Sequence, residues 1–413
     1  MHQNFPGQFK HLAPGLVAAG HEAYALAIEG NPVPGVQFYR YRLSRGNSPN
    51  IHPLAVEFEA KLIRGEACAR AMVKLRSAGF TPDVVVAHPG WGETLFVKDV
   101  WPQTRLLSFL EFYYAACGTD MGFDPEFSRK AESAGDLGQL AEDARLRVKN
   151  ANNLLALEAM DWGLCPTEWQ KSTLPAAFRD RVSVIFDGID TDFVRPDPAA
   201  QFTLNPGARV VKAGDEVITF VNRNLEPYRG YHIFMRALPE ILRLRPNALV
   251  LIVGGNDVSY GARPPAGTTW KEIFLKEVGP RLDRSRVRFV GKIPYVTFVK
   301  LLQASACHVY LTYPFVLSWS CLEALSVGCV VVGSDTPPVR EAIEHGKNGL
   351  LVDFFDTAGL ARTVAEVLDQ RERFTPLRTA ARETAVARYD LRRVCLPRQI
   401  ELVDALVSGR LPQ

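Results

Sequence analysis

The chain has 413 residues, of which 47% are hydrophobic, 23% charged and 10% aromatic, and its formal net charge is +3. That length exceeds one ordinary core and fits two domains of roughly 200 residues each, and the composition is globular, with no disordered or low-complexity stretch. A charge so near neutral argues against a dedicated nucleic-acid binder, which carries a basic excess on one face.

A Rossmann-like half opens on an apolar strand that leads into its first loop. Here Met1-His2-Gln3-Asn4-Phe5-Pro6-Gly7 is already inside what reads as that loop. Either the first strand lies ahead of Met1, through a truncated start, or the sheet manages without its central member. The first explanation is preferred, and it predicts an N-terminal domain of low stability. Further on, Phe58–Ala78 and Leu137–Asp161 read as helices, and Val84–Ala87, Leu106–Phe109, Gly163–Pro166 and Val182–Phe186 as buried strands. Tyr39-Arg40-Tyr41-Arg42 mixes aromatics with cations, but a half-exposed strand has the same alternation. The loop at Val86–Glu93 gathers His88, Trp91 and Glu93 between glycines, which suits either a sugar-binding surface or a tight turn with a hydrogen-bonded histidine.

From Phe186 to Val217 the chain turns polar and rich in proline and glycine (Pro196, Pro198, Pro206, Gly207), marking a linker. Asp190-Thr191-Asp192 matches a DxD metal-binding string, yet its place just beyond a strand favours a turn or cap. The expected division is 1–200, 201–390 and a helical tail, 391–413, returning to the first domain. In the second half, Val217–Val221, Ala248–Val253, Val287–Val290, Cys307–Leu311, Val330–Gly333 and Leu350–Val352 are apolar runs separated by helical periodicity, as at Ile233–Leu242 and Leu360–Leu368. That rhythm predicts βαβ units and a parallel sheet.

Two segments of this half carry chemistry. In Thr219–Gly230 a strand ends at Asn222, and a loop with Arg223 and Arg229 leads into a helix. Two arginines there can grip phosphate oxygens, or can be solvated loop residues. In Tyr313–Gly328, a turn after a strand enters a helix, where Ser318, Trp319 and Ser320 would present N–H groups to phosphate and Glu323 could accept from ribose hydroxyls. The plainer alternative is a first-turn carboxylate stabilised by the helix dipole. The seven cysteines fall singly from Cys68 to Cys395, without zinc-like spacing, so no metal site or disulfide framework is expected and a reducing, cytoplasmic setting fits. No apolar run has membrane-spanning length, and the start lacks signal-peptide regions. Peripheral contact with the inner face of a membrane stays open.

Together these segments resemble the retaining glycosyltransferases of family four, with the GT-B fold. The resemblance extends from Gln3–Gly7 and His11–Glu22 through Ser183–Asp190, Leu251–Gly255 and Val287–Lys292 to Gly349–Asp353. It implies two Rossmann-like α/β domains facing across a cleft, the acceptor on the first and a nucleoside diphosphate sugar on the second. It implies transfer with retention, no cofactor and no metal, and acceptors of glycan or lipid-linked kind in polysaccharide assembly. Arg223 and Arg229 fall on the family's phosphate-binding cations, Arg229 where a lysine is usual. Glu323 falls on the second glutamate of its EX7E motif, while Phe315 stands where the first belongs. Gly7, Asn222, Gly254, Lys292, Ser318, Trp319, Ser320 and Leu322 complete the expected donor site, and Glu111 aligns with a family histidine that contacts the donor sugar, with His88 beside it as a further catalytic candidate. Competing readings are a nucleotide-sugar epimerase or hydrolase of the same fold and a non-catalytic nucleotide-sugar binder, the latter encouraged by Phe315. A nicotinamide dehydrogenase fits poorly, because no GxGxxG follows a strand.

Overall fold

The computed structural model describes residues 1–127, 135–203 and 210–410, with backbone alone over 135–139; Pro206 and Gly207 of the expected linker lie outside the described residues. The chain divides into two compact units. Met1–Met121, Arg129–Gly188 and Arg392–Gln413 form the first, and Gly122–Ser128 with Ile189–Leu391 form the second. The chain enters the second unit at Ile189, earlier than the division expected at 200. The reason is local: Ile189 N–H donates to Tyr389 O and Leu391 N–H to Ile189 O, both at 2.8 Å, which ties the segment to the end of that unit.

The first unit carries β1 (Asn4–Phe5), β2 (Ala23–Ala27), β3 (Glu29–Gly30), β4 (Val36–Arg40), β5 (Val84–Ala87), β6 (Arg105–Phe109), β7 (Trp162–Cys165) and β8 (Val182–Val184). Strands β5-β6-β7-β8 make one parallel sheet, while among the described residues β2 pairs with β4 and β1 with β3 in separate two-stranded sheets. The core of this unit joins Ala67, Cys68 and Met72 of the helix Val56–Ser77 to Val85, Leu106 and Leu157. The helix Leu396–Val407 packs in the same unit, with Gln399 Nε2 donating to Phe186 O at 2.9 Å. The helix expected over 137–161 is two helices, Gly135–Lys149 and Ala151–Ala159. Asn150 breaks it, because its side-chain amide accepts from Tyr114 N–H at 3.1 Å and donates to Tyr114 O at 2.7 Å.

The second unit carries β9 (Gln201–Thr203) and β10 (Val210–Lys212), an antiparallel pair, then β11 (Val217–Asn224), β12 (Leu249–Gly255), β13 (Val287–Gly291), β14 (Cys307–Tyr310), β15 (Val330–Ser334) and β16 (Leu350–Val352). These last six form one continuous parallel sheet in the order β13-β12-β11-β14-β15-β16. Nearly every residue of β11, β12, β14 and β15 is buried, as valine-rich strands covered on both faces must be. The inserted segment is held by Asp124, which pairs with His232 Nε2 at 2.9 Å and accepts from Tyr313 Oη at 2.7 Å. Burial pushes the Asp124 carboxyl up, but these two bonds outweigh it and hold it below the usual carboxylate range.

Candidate functional site

In an open parallel α/β sheet, ligands bind beyond the carboxyl ends of the strands, where the strand order reverses. In the second unit that point lies between β11 and β14. The chain runs outward from β11 through β12 and β13, then returns to β14 and runs the other way. The loops after β11 and β14 flank this reversal, and they carry the two segments singled out above.

The loop after β11 makes a short turn, Pro227–Arg229, and enters the helix Tyr231–Leu244 through Gly230 at φ 68°. A side chain there would strike Leu311, its Cβ 2.3 Å away, so glycine is required for the close approach of the two loops. Arg223 is exposed and has no ion-pair partner among the described residues. Arg229 is different, with only 5% of its surface exposed. Its Nη1 donates to Thr312 Oγ1 at 2.8 Å and to Val316 O at 2.9 Å, both in the loop after β14. The guanidinium also lies over the rings of Tyr260 (5.1 Å) and Phe315 (5.6 Å). No carboxylate pairs with it among the described residues, which leaves a buried cation short of an anion at the switch point. Asn222 Nδ2 donates to Arg229 O at 3.4 Å.

Strand β12 ends in Gly254 and Gly255, which let other groups come close. A Cβ on Gly254 would meet Leu225 and Asn222 O, and one on Gly255 would meet Asn224 Oδ1 and Lys292 Cε. Lys292 therefore lies across Gly255, its ammonium 3.8 Å from the exposed Asp257. The neighbouring loop is organised by Glu226, which sequence reasoning passed over. Its buried carboxylate accepts from the N–H groups of Ser259, Tyr260 and Gly261 at 3.0–3.2 Å.

After β14, Ser318 caps the helix Trp319–Ser326. Ser318 N–H donates to Tyr310 Oη at 2.8 Å and Ser320 N–H to Ser318 Oγ at 3.4 Å, so two of the three N–H groups expected to face phosphate already have partners. Trp319 is half-buried, and Leu322 is fully buried in the core. Glu323 is 6% exposed, and its Oε1 accepts from Tyr295 Oη at 2.6 Å, a partner the sequence gave no reason to expect. Phe315, in place of the family's first glutamate, is buried against Tyr228 and Tyr260.

In the first unit, His88 and Glu111 come together, with Nε2 3.2 Å from Oε2. His88 Nδ1 accepts from Gly90 N–H at 3.0 Å, so the ring proton is assigned to Nε2 and is directed at the carboxylate. Glu111 Oε1 accepts from Gln8 Nε2 at 3.2 Å, and Gln8 Oε1 lies 2.7 Å from His2 Nε2. Burial pushes the Glu111 carboxyl up, but the His88 and Gln8 bonds hold it lower than usual. Gly7, at φ 50°, lies against the His2 ring, where any Cβ would clash at 2.3 Å. The Trp91 ring lies tilted by 31° against His88, with ring centres 4.4 Å apart. Glu93 does not join them: it is fully buried and accepts from Tyr41 Oη at 2.6 Å. Asp190 caps its own turn, its Oδ1 accepting from Phe193 N–H at 3.2 Å.

Two Rossmann-like units with an anion-suited turn at a switch point define a class, and its known members of the same fold are GT-B glycosyltransferases. Residues 19–194 match the glycosyl transferase family 4 group and residues 205–385 the glycosyl transferases group 1, and the chain belongs to this family. Among similar solved structures are a sucrose-phosphate synthase from Thermosynechococcus elongatus (TM-score 0.70, 19% identity, 96% of this chain and 92% of that one) and Anabaena HepE in complex with UDP and glucose (TM-score 0.63, 16%, 96% and 95%). Curated relatives include a D-inositol 3-phosphate glycosyltransferase of Nocardia farcinica, 30% identical over 48% of this chain and 42% of the relative. A GDP-mannose-dependent alpha-(1-6)-phosphatidylinositol monomannoside mannosyltransferase of Mycobacterium tuberculosis is 26% identical over 54% and 56%. The chain thus spans about half the length of these two relatives. A glycogen synthase of Mycobacterium tuberculosis is 23% identical over 98% and 91%. No helix among the described residues is long and apolar enough to cross a membrane.

Proposed function

We propose that the chain transfers a glycosyl group from a nucleoside diphosphate sugar to a glycan or lipid-linked acceptor, with retention and without a divalent metal. The observation that supports this best is Arg229, a buried guanidinium with no anionic partner among the described residues, carried on one loop of the switch point and bonded to the other. A diphosphate would supply the missing charge. As the glycosidic bond breaks, negative charge grows on the leaving phosphate, and Arg223, Arg229 and Lys292 would stabilise it without reorganising. Three cations can serve where other transferases use a metal. Glu323 would accept from the ribose hydroxyls, in exchange for the Tyr295 phenol that it now holds. The first unit, with His88 and Glu111, would receive the acceptor, and a cytoplasmic place at the inner membrane face suits lipid-linked acceptors.

A melting screen with UDP-, GDP- and ADP-sugars tests the donor class, since a ligand that binds only the folded state raises the midpoint. HepE was solved in complex with UDP and glucose and the mannosyltransferase is GDP-mannose-dependent, so both bases belong in the screen. Absence of any shift, together with no transfer across an acceptor panel, would remove the proposal. Phe315 favours a second reading: with an aromatic ring where a carboxylate would meet the sugar, the unit could bind donor without transferring it. Tight donor binding with no turnover would select that reading.

A further inference from the structure

The inserted segment of the second unit brings two carboxylates to the start of the helix Tyr231–Leu244. Asp124 Oδ2 stands 2.9 Å from His232 Nε2, and Glu126, two residues on, meets Arg236 with both oxygens, at 2.6 and 2.8 Å. Glu126 N–H donates to Asp124 Oδ1 at 3.0 Å, which holds the turn between them. One ligand atom each from Asp124, Glu126 and His232 all lie within 4.8 Å of one another. Cysteine spacing could not reveal this group, since its members come from segments far apart in the sequence.

His232 is the odd member of the group. It is 1% exposed and walled by the rings of Phe127, Phe274 and Phe354, with centres 5.0–5.8 Å away. Its Nε2 approaches Asp124 Oδ2, yet neither ring nitrogen has an aligned hydrogen bond among the described residues. A buried ring nitrogen left in that state costs free energy unless something else takes its lone pair. A cation would do so. Three carboxylates, of Asp124, Glu126 and Glu277, gather here around one guanidinium, Arg236, and such a grouping draws a divalent ion. Glu126 can turn to that ion without stranding Arg236, which keeps both oxygens of Glu277 at 2.6 and 3.0 Å. The Asp124 carboxylate has lone pairs beyond the one that accepts from Tyr313 Oη. The Glu126 side chain is 45% exposed, so an ion can enter from water on that side. One imidazole with two carboxylates suits zinc, bound at about 2.0–2.2 Å with water in the fourth position, whereas magnesium and calcium take oxygen ligands. Ligand atoms of such a site stand roughly 3.3 Å apart, so small side-chain rotations complete the set.

We infer that Asp124, Glu126 and His232 form a zinc site that fastens residues 122–127 to the second unit. None of the residues assigned to the donor takes part, so the site stands apart from the transfer chemistry proposed above. After EDTA treatment and dialysis, the full chain should bind one zinc per molecule in a calorimetric titration. Saturating zinc should raise the melting midpoint by about 5 °C. Co²⁺ in its place should produce the strong visible absorption of a four-coordinate site, and Mg²⁺ should do neither. His232→Gln should abolish binding. Glu126→Gln, at the exposed edge, provides a variant that keeps the fold: it should weaken zinc at least about tenfold, with the metal-free midpoint within about 2 °C of wild type. Zinc captured by the cysteines instead would bind both variants as tightly as the unaltered chain. That result, or the absence of stoichiometric zinc, would overturn the inference, as would an equal midpoint shift with Mg²⁺.

Discussion

The two units are built from the same βαβ material, yet one sheet is continuous over six strands and the other is split between β2 and β5. In the second unit β11 stands in the middle, paired on both sides, and its loop and that of β14 meet at Arg229. In the first unit, among the described residues, Met1 and His2 make the main-chain bonds between β2 and β5. The contrast teaches that a parallel sheet draws its stability and its site from one element, the strand at the reversal of order. Where that strand is whole, the loops around it are locked together. Where Met1 and His2 stand between the two sheets, the cluster His2, Gln8, Glu111 and His88 is held by a short chain of side-chain bonds.

Amide exchange should separate the units most strongly. The amides of Phe220 and Val309 should exchange at least about a hundredfold more slowly than those of Leu26 and Val86; equal protection would erase the contrast. Next comes the site. Glu323→Ala should lower transfer about 10- to 100-fold, the loss of bonds to a charged acceptor, while the melting midpoint falls little. Wild-type transfer by that variant would move the donor elsewhere. Core truncation sharpens the comparison further. Leu238→Ala, at a fully buried position of the second unit, should cost about 2–5 kcal/mol. Leu75→Ala, which borders a cavity of about 370 Å³ in the first unit, should cost less, because fewer neighbouring atoms lose contact. Matching losses measured by denaturant unfolding would argue that the cavity is closed in solution.

The smallest effect concerns pH. The Met1 amino group titrates near 8 when unfolded and at about 6 when folded, and its ring neighbour His2 is lowered to about 4, mainly by burial. Both are depressed basic groups, so the unfolded chain binds more protons between the two values and stability rises with pH. The first unit should therefore gain stability from pH 6 to 8 through Met1, with the His2 contribution lost only as pH falls below about 6.5. Acetylating the N-terminus should flatten the pH 6–8 slope. An unchanged slope would show that the amino group is solvated.

The strands of the second unit were legible because Val217–Val221, Cys307–Leu311 and Val330–Gly333 are apolar runs that suit only a sheet covered on both faces, and they appear within a few residues of the expected bounds. The pairing of His88 with Glu111 was half legible: both residues were singled out separately, but the partners Gln8 and His2 come from the opening loop, which no spacing rule connects to them. Burial of Arg229 was not legible, since a loop arginine reads the same whether it faces water or an aromatic pocket. The contribution of Tyr295 to Glu323 was equally hidden, because the two lie 28 positions apart on different helices. Asn150 broke a helix through a side-chain bond to Tyr114, an effect of tertiary contact that overrides periodicity.

The short excursion that delivers Asp124 to His232 and Tyr313 has a practical corollary. Because residues 122–127 belong with the second unit while the chain on either side belongs to the first, and because Arg392–Gln413 returns to the first unit, a single cut cannot release either half intact. A fragment beginning at Ile189 would leave His232 and the Tyr313 hydroxyl without their carboxylate, inside a core that excludes water. Separate expression of the halves would need the excursion supplied as a grafted loop.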